Sequence, residues 1–315
     1  MSSITGIEWM IVILIAAVKM GTPLLFATLG GVISERAGVI NLGMEGLMLI
    51  GALTAFMVSL YSQSALLAVI AAAIVAGLVT LIHGLICISL KANQIASGLA
   101  LALFGTGLSG VFGDKFTGQT INAIKDIQIP VLGSIPVLGK MLFNQNALVY
   151  FSYFCVLLAW YVLYYTRVGL NLRATGEDPE VVDSIGLSVT LYRFLAVVTG
   201  GMLIGVGGAY FPLVLTSFWV NNLTGGRGWI AVALVIFSFW HPGKALLGAY
   251  LFGAAIALQL RLQLMGFAVS PYFLDMFPFV LTITVLTLAT IRYHKKGISV
   301  MPAALGTAFF RGEKH

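Results

Sequence analysis

The chain has 315 residues, 59% of them hydrophobic and only 9% charged, with a formal net charge of +6. Soluble domains carry roughly a quarter charged residues, so the composition excludes a water-solvated globule and makes lipid the main solvent. A nucleic-acid surface does not fit either: the basic residues gather near predicted helix ends and loops, without a basic stripe interleaved with aromatics.

Nine apolar segments follow in chain order: 8–32, 44–60, 65–90, 94–113, 147–166, 192–211, 228–241, 244–263 and 272–291. The first contains Gly21-Thr22-Pro23, where proline removes a backbone hydrogen bond and predicts a kink. Residues 46–90 run without one Asp, Glu, Lys or Arg, about twice the length a single span requires. The polar break Tyr61-Ser62-Gln63-Ser64 divides that run in two. Segment 228–241 is too short to cross unless its entry dips into the membrane. The 36 glycines suit close helix contacts and interrupted helices. The expected fold is all-α: one polytopic transmembrane bundle over residues 1–315, with nine to ten spans, interrupted helices and a short cytoplasmic helix.

Basic loops set the orientation. The tail 292–315 holds Arg292, Lys295, Lys296, Arg311 and Lys314 against Glu313, which places it in the cytoplasm. Counting back two spans at a time puts His241–Lys244 and the 167–191 loop on the same side. The 114–146 loop and the N-terminus then lie outside. The first residues have no basic region ahead of the apolar stretch, so no cleaved signal is expected. Cys87 and Cys155 sit inside spans and read as small buried hydrophobes.

A short internal echo marks the two halves, read either as a repeat or as a chance match. Asn41-Leu42-Gly43-Met44-Glu45-Gly46 precedes one pair of spans, and Asn222-Leu223-Thr224-Gly225-Gly226-Arg227-Gly228 precedes another. Two glycine-interrupted apolar segments in matching positions point to a transport site between inverted repeats. Asn41 offers donors and acceptors, and Glu45 accepts strongly. A buried carboxylate needs a cation, a proton or water, and Arg227 is a candidate partner. The alternative is scaffolding, with Glu45 holding the first turn of its own helix and Glu35 and Arg36 capping helix ends. Near the second interruption, Phe218, Trp219 and Asn222 combine aromatic faces with amides that suit a base or sugar ring; an interfacial aromatic belt is the other reading. His83, alone on an apolar span, reads as a packed histidine bonded to a neighbouring helix.

Within 167–191, Asp178 suits an N-cap, Pro179 the first helical position and Glu180 the positive helix end, and Gly186 suits termination. The signals predict a short helix over 179–185. Its Val181, Val182 and Ile185 offer apolar contact and its Glu180 and Asp183 charge to a docked partner, or they mark an ordinary connector. Gly133–Lys140 falls one residue outside the spacing of a phosphate-binding loop, and Met141 stands where Ser or Thr belongs.

Residues 22–52 (TPLLFATLGGVISERAGVINLGMEGLMLIGA), 91–102 (KANQIASGLALA) and 225–234 (GGRGWIAVAL) resemble the permeases of bacterial ATP-binding-cassette importers of the nucleoside and simple-sugar type, relatives of the ribose and branched-chain amino-acid permeases. The resemblance covers most of the chain; Phe237–Pro242 is bulkier than that family suggests. It implies a non-enzymatic permease subunit in the bacterial inner membrane, most like a nucleoside importer. A pentose or hexose importer is the alternative within the class, and a stand-alone channel or secondary carrier the alternative outside it. It implies that this chain binds no cofactor: ATP and Mg reside on an ATPase partner. A second permease subunit (a different chain) and an external solute-binding protein complete the assembly. The expected solute path runs by Asn41, Glu45, Asn93, Gln94, Phe218, Trp219, Asn222 and Arg227. Gly176, Glu177, Asp178, Pro179, Glu180, Val182, Asp183 and Gly186 would form the coupling helix that seats in the ATPase.

Overall fold

In a computed structural model, residues 6–130, 132–135, 137–264, 271–294 and 301–311 are described. Every apolar segment read from the sequence falls on a helix. These are α1 (Gly6–Arg36), α2 (Met44–Ser62), α3 (Ala65–Gly84), α4 (Gln94–Gly113), α6 (Ala147–Tyr165), α9 (Val189–Tyr210), α10 (Arg227–Phe237), α11 (Pro242–Leu264) and α12 (Pro271–His294). Short helices α5 (Leu138–Leu142), α7 (Arg167–Glu177) and α8 (Pro179–Ser184) lie between them. The sheet is a two-stranded antiparallel ribbon, β1 (Asp126–Gln128) on β2 (Asn144–Asn146), with Ile127 opposite Gln145.

Seven of the described helices are long and apolar enough to cross a bilayer. α1 runs through Pro23 as one helix. α10 has 11 residues, about 16 Å at 1.5 Å per residue, roughly half a hydrocarbon core. Ahead of it, residues 211–216 extend α9 as a π-helix, and a run of turns over 221–226 leads into α10. The outward faces of α3 and α4 carry exposed apolar side chains such as Leu78 and Leu103, which suits lipid as their solvent.

Hydrogen bonds define two ends of the bundle. At one end, Lys19 on α1 pairs with Asp126 of the ribbon at 2.6 Å, so the 114–146 segment lies beside the N-terminal part of α1. At the other end, Arg36 donates to the Trp240 and Phe239 carbonyls. Ala304 N donates to the Gly176 carbonyl, and Gly306 N to the Gly38 carbonyl. The 167–191 segment, the His241 turn and the tail therefore share one end, as the basic-loop count expects. Lys295, Lys296, Glu313 and Lys314 lie outside the described residues.

The two halves pack as inverted copies. α1 lies against α9 and α11, and α9 lies against α1 and α3. α2 packs on α3 and α4, and α10 on α11 and α12. α1 and α9 run antiparallel: Gly30 abuts Gly200 while Val18 and Tyr210 share a cluster. In lipid no solvent drives helices together, so close backbone approach does it. Gly51 of α2 faces the backbone of Gly205 on α9, and a Cβ there would lie 2.7 Å from the Gly205 Cα. Gly51→Leu should therefore separate α2 from α9 at an overpacking cost of about 1–3 kcal/mol or more. The check is the thermal unfolding midpoint of the purified protein in detergent, which should fall.

Candidate functional site

The two interrupted segments meet. Glu45 is buried in the first turn of α2. Its Oε1 accepts from Thr224 Oγ1 at 2.5 Å and from Gly226 N at 2.9 Å; its Oε2 accepts from Gly228 N at 2.6 Å. Gly226 is the N-cap of α10. One carboxylate thus sits between the N-termini of α2 and α10, where both helix dipoles favour negative charge. The sequence suggested a cation, a proton or water for Glu45; two backbone amides and a hydroxyl fill that role. Arg227 forms no ion pair with Glu45. Its guanidinium donates to the Thr224 carbonyl at 3.2 Å and lies over the Phe211 ring. Thr224 therefore links the two charges, hydroxyl to one and carbonyl to the other.

The turn before α2 is held by polar side chains from α3 and α4. Ile40 N donates to Gln94 Oε1 at 2.8 Å, and His83 Nε2 lies 2.9 Å from the Ile40 carbonyl. A carbonyl only accepts, so Nε2 carries the proton, and Nδ1 of the neutral ring accepts from Ser97 Oγ at 2.9 Å. Fully buried Asn41 folds back through Oδ1 onto Gly43 N. The Asn41 Nδ2 and Gln94 Nε2 groups are buried and have no hydrogen-bond partner among the described residues. Asn93 lies apart from this cluster. It is exposed and N-caps α4 by accepting from Ala96 N.

The aromatic group splits. Trp219 is fully buried, 5.8 Å from the Phe56 ring and closing over Gly113, so it is a packing residue and not part of an interfacial belt. Its Nε1 also lacks a partner among the described residues. Phe218 and Asn222 are exposed, and Asn222 takes a left-handed backbone with φ 57°.

Asp178 caps α8 by accepting from Glu180 N and Val181 N, and Pro179 is the first helical residue. Gly186, at φ 82°, ends the segment as expected. Val182 is buried while Val181 and Ile185 are 55% and 67% exposed, so the latter two are free for a partner. The preceding α7 corrects the sequence reading of 167–177 as loop. Thr166 caps it, and Leu172, Thr175 and Gly176 form its buried side. Sequence reading also missed the partner of Glu35, whose Oε2 accepts from Trp240 Nε1 at 2.6 Å. The bulky Phe237–Pro242 stretch was the available signal.

Residues 13–286 match the family described as the permease component of branched-chain amino acid transport systems. A putative glucose ABC transporter permease of Haloferax volcanii is 39% identical, over 94% of this chain and 96% of that protein. A nucleoside ABC transporter permease of Lactococcus lactis is 36% identical, over 93% and 94%. A guanosine ABC transporter permease of Bacillus subtilis is 33% identical, over 96% and 98%. No solved structure gives a significant match.

The Glu45 junction carries a quantitative expectation. Hydrogen bonds to a charged group contribute about 1.5–3 kcal/mol each. Thr224→Val removes one donor and should destabilise by about that amount. Glu45→Ala leaves two amides and a hydroxyl buried without an acceptor and should cost more than twice as much. Thermal unfolding of both variants in detergent checks the ranking.

Proposed function

Because the chain belongs to the family of branched-chain amino acid transport system permease components, we propose that it is the membrane subunit of an ATP-driven importer whose solute is a nucleoside. The observation that carries the reading is near full-length similarity to two permeases named for nucleosides and for guanosine. A sugar solute is the second reading, favoured by the 39% identity to a protein named as a putative glucose permease.

The end bearing α8 and the tail is the cytoplasmic one. It gathers Arg36, Lys91, Arg173, Lys244 and Arg311, in keeping with the positive-inside rule. An ATPase partner binds there and holds ATP and Mg; this chain hydrolyses nothing. α8 is the coupling helix. Its Asp178 cap and buried Val182 fix it to the permease, while Val181, Ile185 and Glu180 meet the ATPase. A second, different permease chain and an external solute-binding protein complete the importer in the cytoplasmic membrane.

The solute passes close to the meeting point of the two interrupted segments, as in transporters built from inverted repeats. The unpartnered Asn41 Nδ2 and Gln94 Nε2 donors flank the turn there and suit hydroxyl or ring-nitrogen acceptors. ATP binding draws the ATPases together, α8 follows, and the glycine-lined helix contacts let the two halves tilt.

The deciding experiment reconstitutes the assembled importer in vesicles with labelled guanosine, ribose and glucose. ATP-dependent guanosine uptake that excess sugar does not suppress is expected; sugar uptake alone would establish the second reading, and uptake without any ATPase would refute both. Ile185→Asp, at an exposed α8 position, should lower ATP-driven uptake at least tenfold while leaving membrane insertion intact. Asn41→Leu should lower the uptake rate several-fold without disrupting assembly, as measured by copurification of the ATPase.

A further inference from the structure

The tail reads from sequence as a basic cytoplasmic extension, yet residues 301–311 form a strap across that end of the bundle. Ala304 N donates to the Gly176 carbonyl at 2.8 Å, and Ala303 N to Glu177 Oε2 at 3.2 Å. Gly306 N donates to the Gly38 carbonyl at 3.1 Å. The Thr307 carbonyl accepts from the buried Arg193 of α9 at 3.0 Å. Arg311 pairs with Asp183 of α8 at 3.2 Å, and Lys91, in the turn between α3 and α4, sits over the Phe310 ring at 3.9 Å. Pro302 and Ala304 are buried, and Leu305 packs against the main core cluster.

These contacts add to direct ones: Gly176 already lies against Arg36 and Gly38, Arg36 pairs with Glu177 at 3.9 Å, and α8 leads into α9 within a few residues. On one side are the last residues of α7 and the α8 helix. On the other are the Gly38 turn, the Lys91 turn and the start of α9. Gly38 lies two residues before Ile40, whose backbone is held by Gln94 and His83, and three before Asn41. The strap backbone fits closely. Gly306 has φ 79°, and a Cβ there would lie 2.9 Å from Ile40 Cδ1. Gly38 has φ 87°, with the Ala304 carbonyl 3.2 Å from where its Cβ would be. Both positions favour glycine on backbone grounds as well.

We propose that residues 301–311 are a transmission element: beside the direct contact of Gly176 with the Gly38 turn, the strap carries displacement of α8 to the Ile40–Asn41 turn. This rests on the reading of α8 as the ATPase contact. The exposed Arg311–Asp183 pair is the weakest link, since surface ion pairs contribute little. The backbone bonds at Gly176 and Gly38, with the Thr307 bond to Arg193, fix the path. The strap residues are positioning residues; no contact with solute is assigned to them.

The test uses the assembled importer in vesicles and reads solute uptake and ATP hydrolysis together. Two chains are compared with the parent: one ending at residue 300, and Gly306→Val in the full chain. Both are expected to copurify with the ATPase and to keep ATP hydrolysis within twofold of the parent, while solute moved per ATP falls at least fivefold. Gly306→Ala, with a smaller side chain, should lose less coupling than Gly306→Val. Unchanged uptake per ATP in Gly306→Val would overturn the inference. So would a parallel fall of hydrolysis and uptake in that variant, which marks a role in docking or folding. If the parent chain itself shows no ATP-driven uptake, the functional reading fails instead, and the two failures are thereby distinct.

Discussion

Three hydrogen bonds to one carboxylate join the halves of this protein. A buried ion costs several kcal/mol to desolvate and is tolerated only when its lone pairs are satisfied. Glu45 meets that condition through donors that all lie in the second interruption, 179 to 183 residues away in the chain. The start of α10 presents open amides, and the start of α2 presents an open carboxylate; each supplies what the other lacks. The carboxyl group is bonded by backbone and hydroxyl donors, while the nearby Arg227 bonds to the Thr224 carbonyl and covers the Phe211 ring.

Around that junction the bundle is fitted by backbone contact more than by large side chains. Antiparallel α1 and α9 approach at Gly30 and Gly200, and α2 meets α9 at Gly51 and Gly205. Such contacts depend on shape and dispersion, with little directional bonding to break. Polar latches sit at the end that carries α8. There Glu35 holds the Trp240 indole, Arg36 holds the carbonyls beside it, and the strap crosses the Gly38 turn. The opposite end has polar bonds of its own, with Lys19 paired to Asp126 and Asn146 bonded to Tyr210, so the soft interfaces lie between two pinned ends.

Hydropathy located nine of the described helices, because lipid imposes apolarity on them and a spanning length on seven. The two interruptions were legible for the same reason: charge and glycine inside apolar sequence stand out. Asp178-Pro179 announced α8 through local capping chemistry. What escaped was tertiary. The residues of α7 are too polar and mixed for a hydropathy reading, and their buried side is Leu172, Thr175 and Gly176. Trp219 borders a loop and so resembles a belt residue, yet Phe56 and Gly113 enclose it. The Glu45 donors are mostly backbone amides, which leave no trace in residue type. The strap is held chiefly through its own backbone, and Met301-Pro302-Ala303-Ala304 carries no periodicity to betray it.

The separation in sequence between Glu45 and its donors also bears on how the protein is made. Ribosomes add about 5–20 residues per second, so the 179 residues up to Thr224 take about 10–35 s to synthesise. Throughout that interval Glu45 lacks every one of these donors. Its three donors all belong to the second half, which must be synthesised before the junction can close. The bonds that join the two halves are therefore among the last to form as the chain is made.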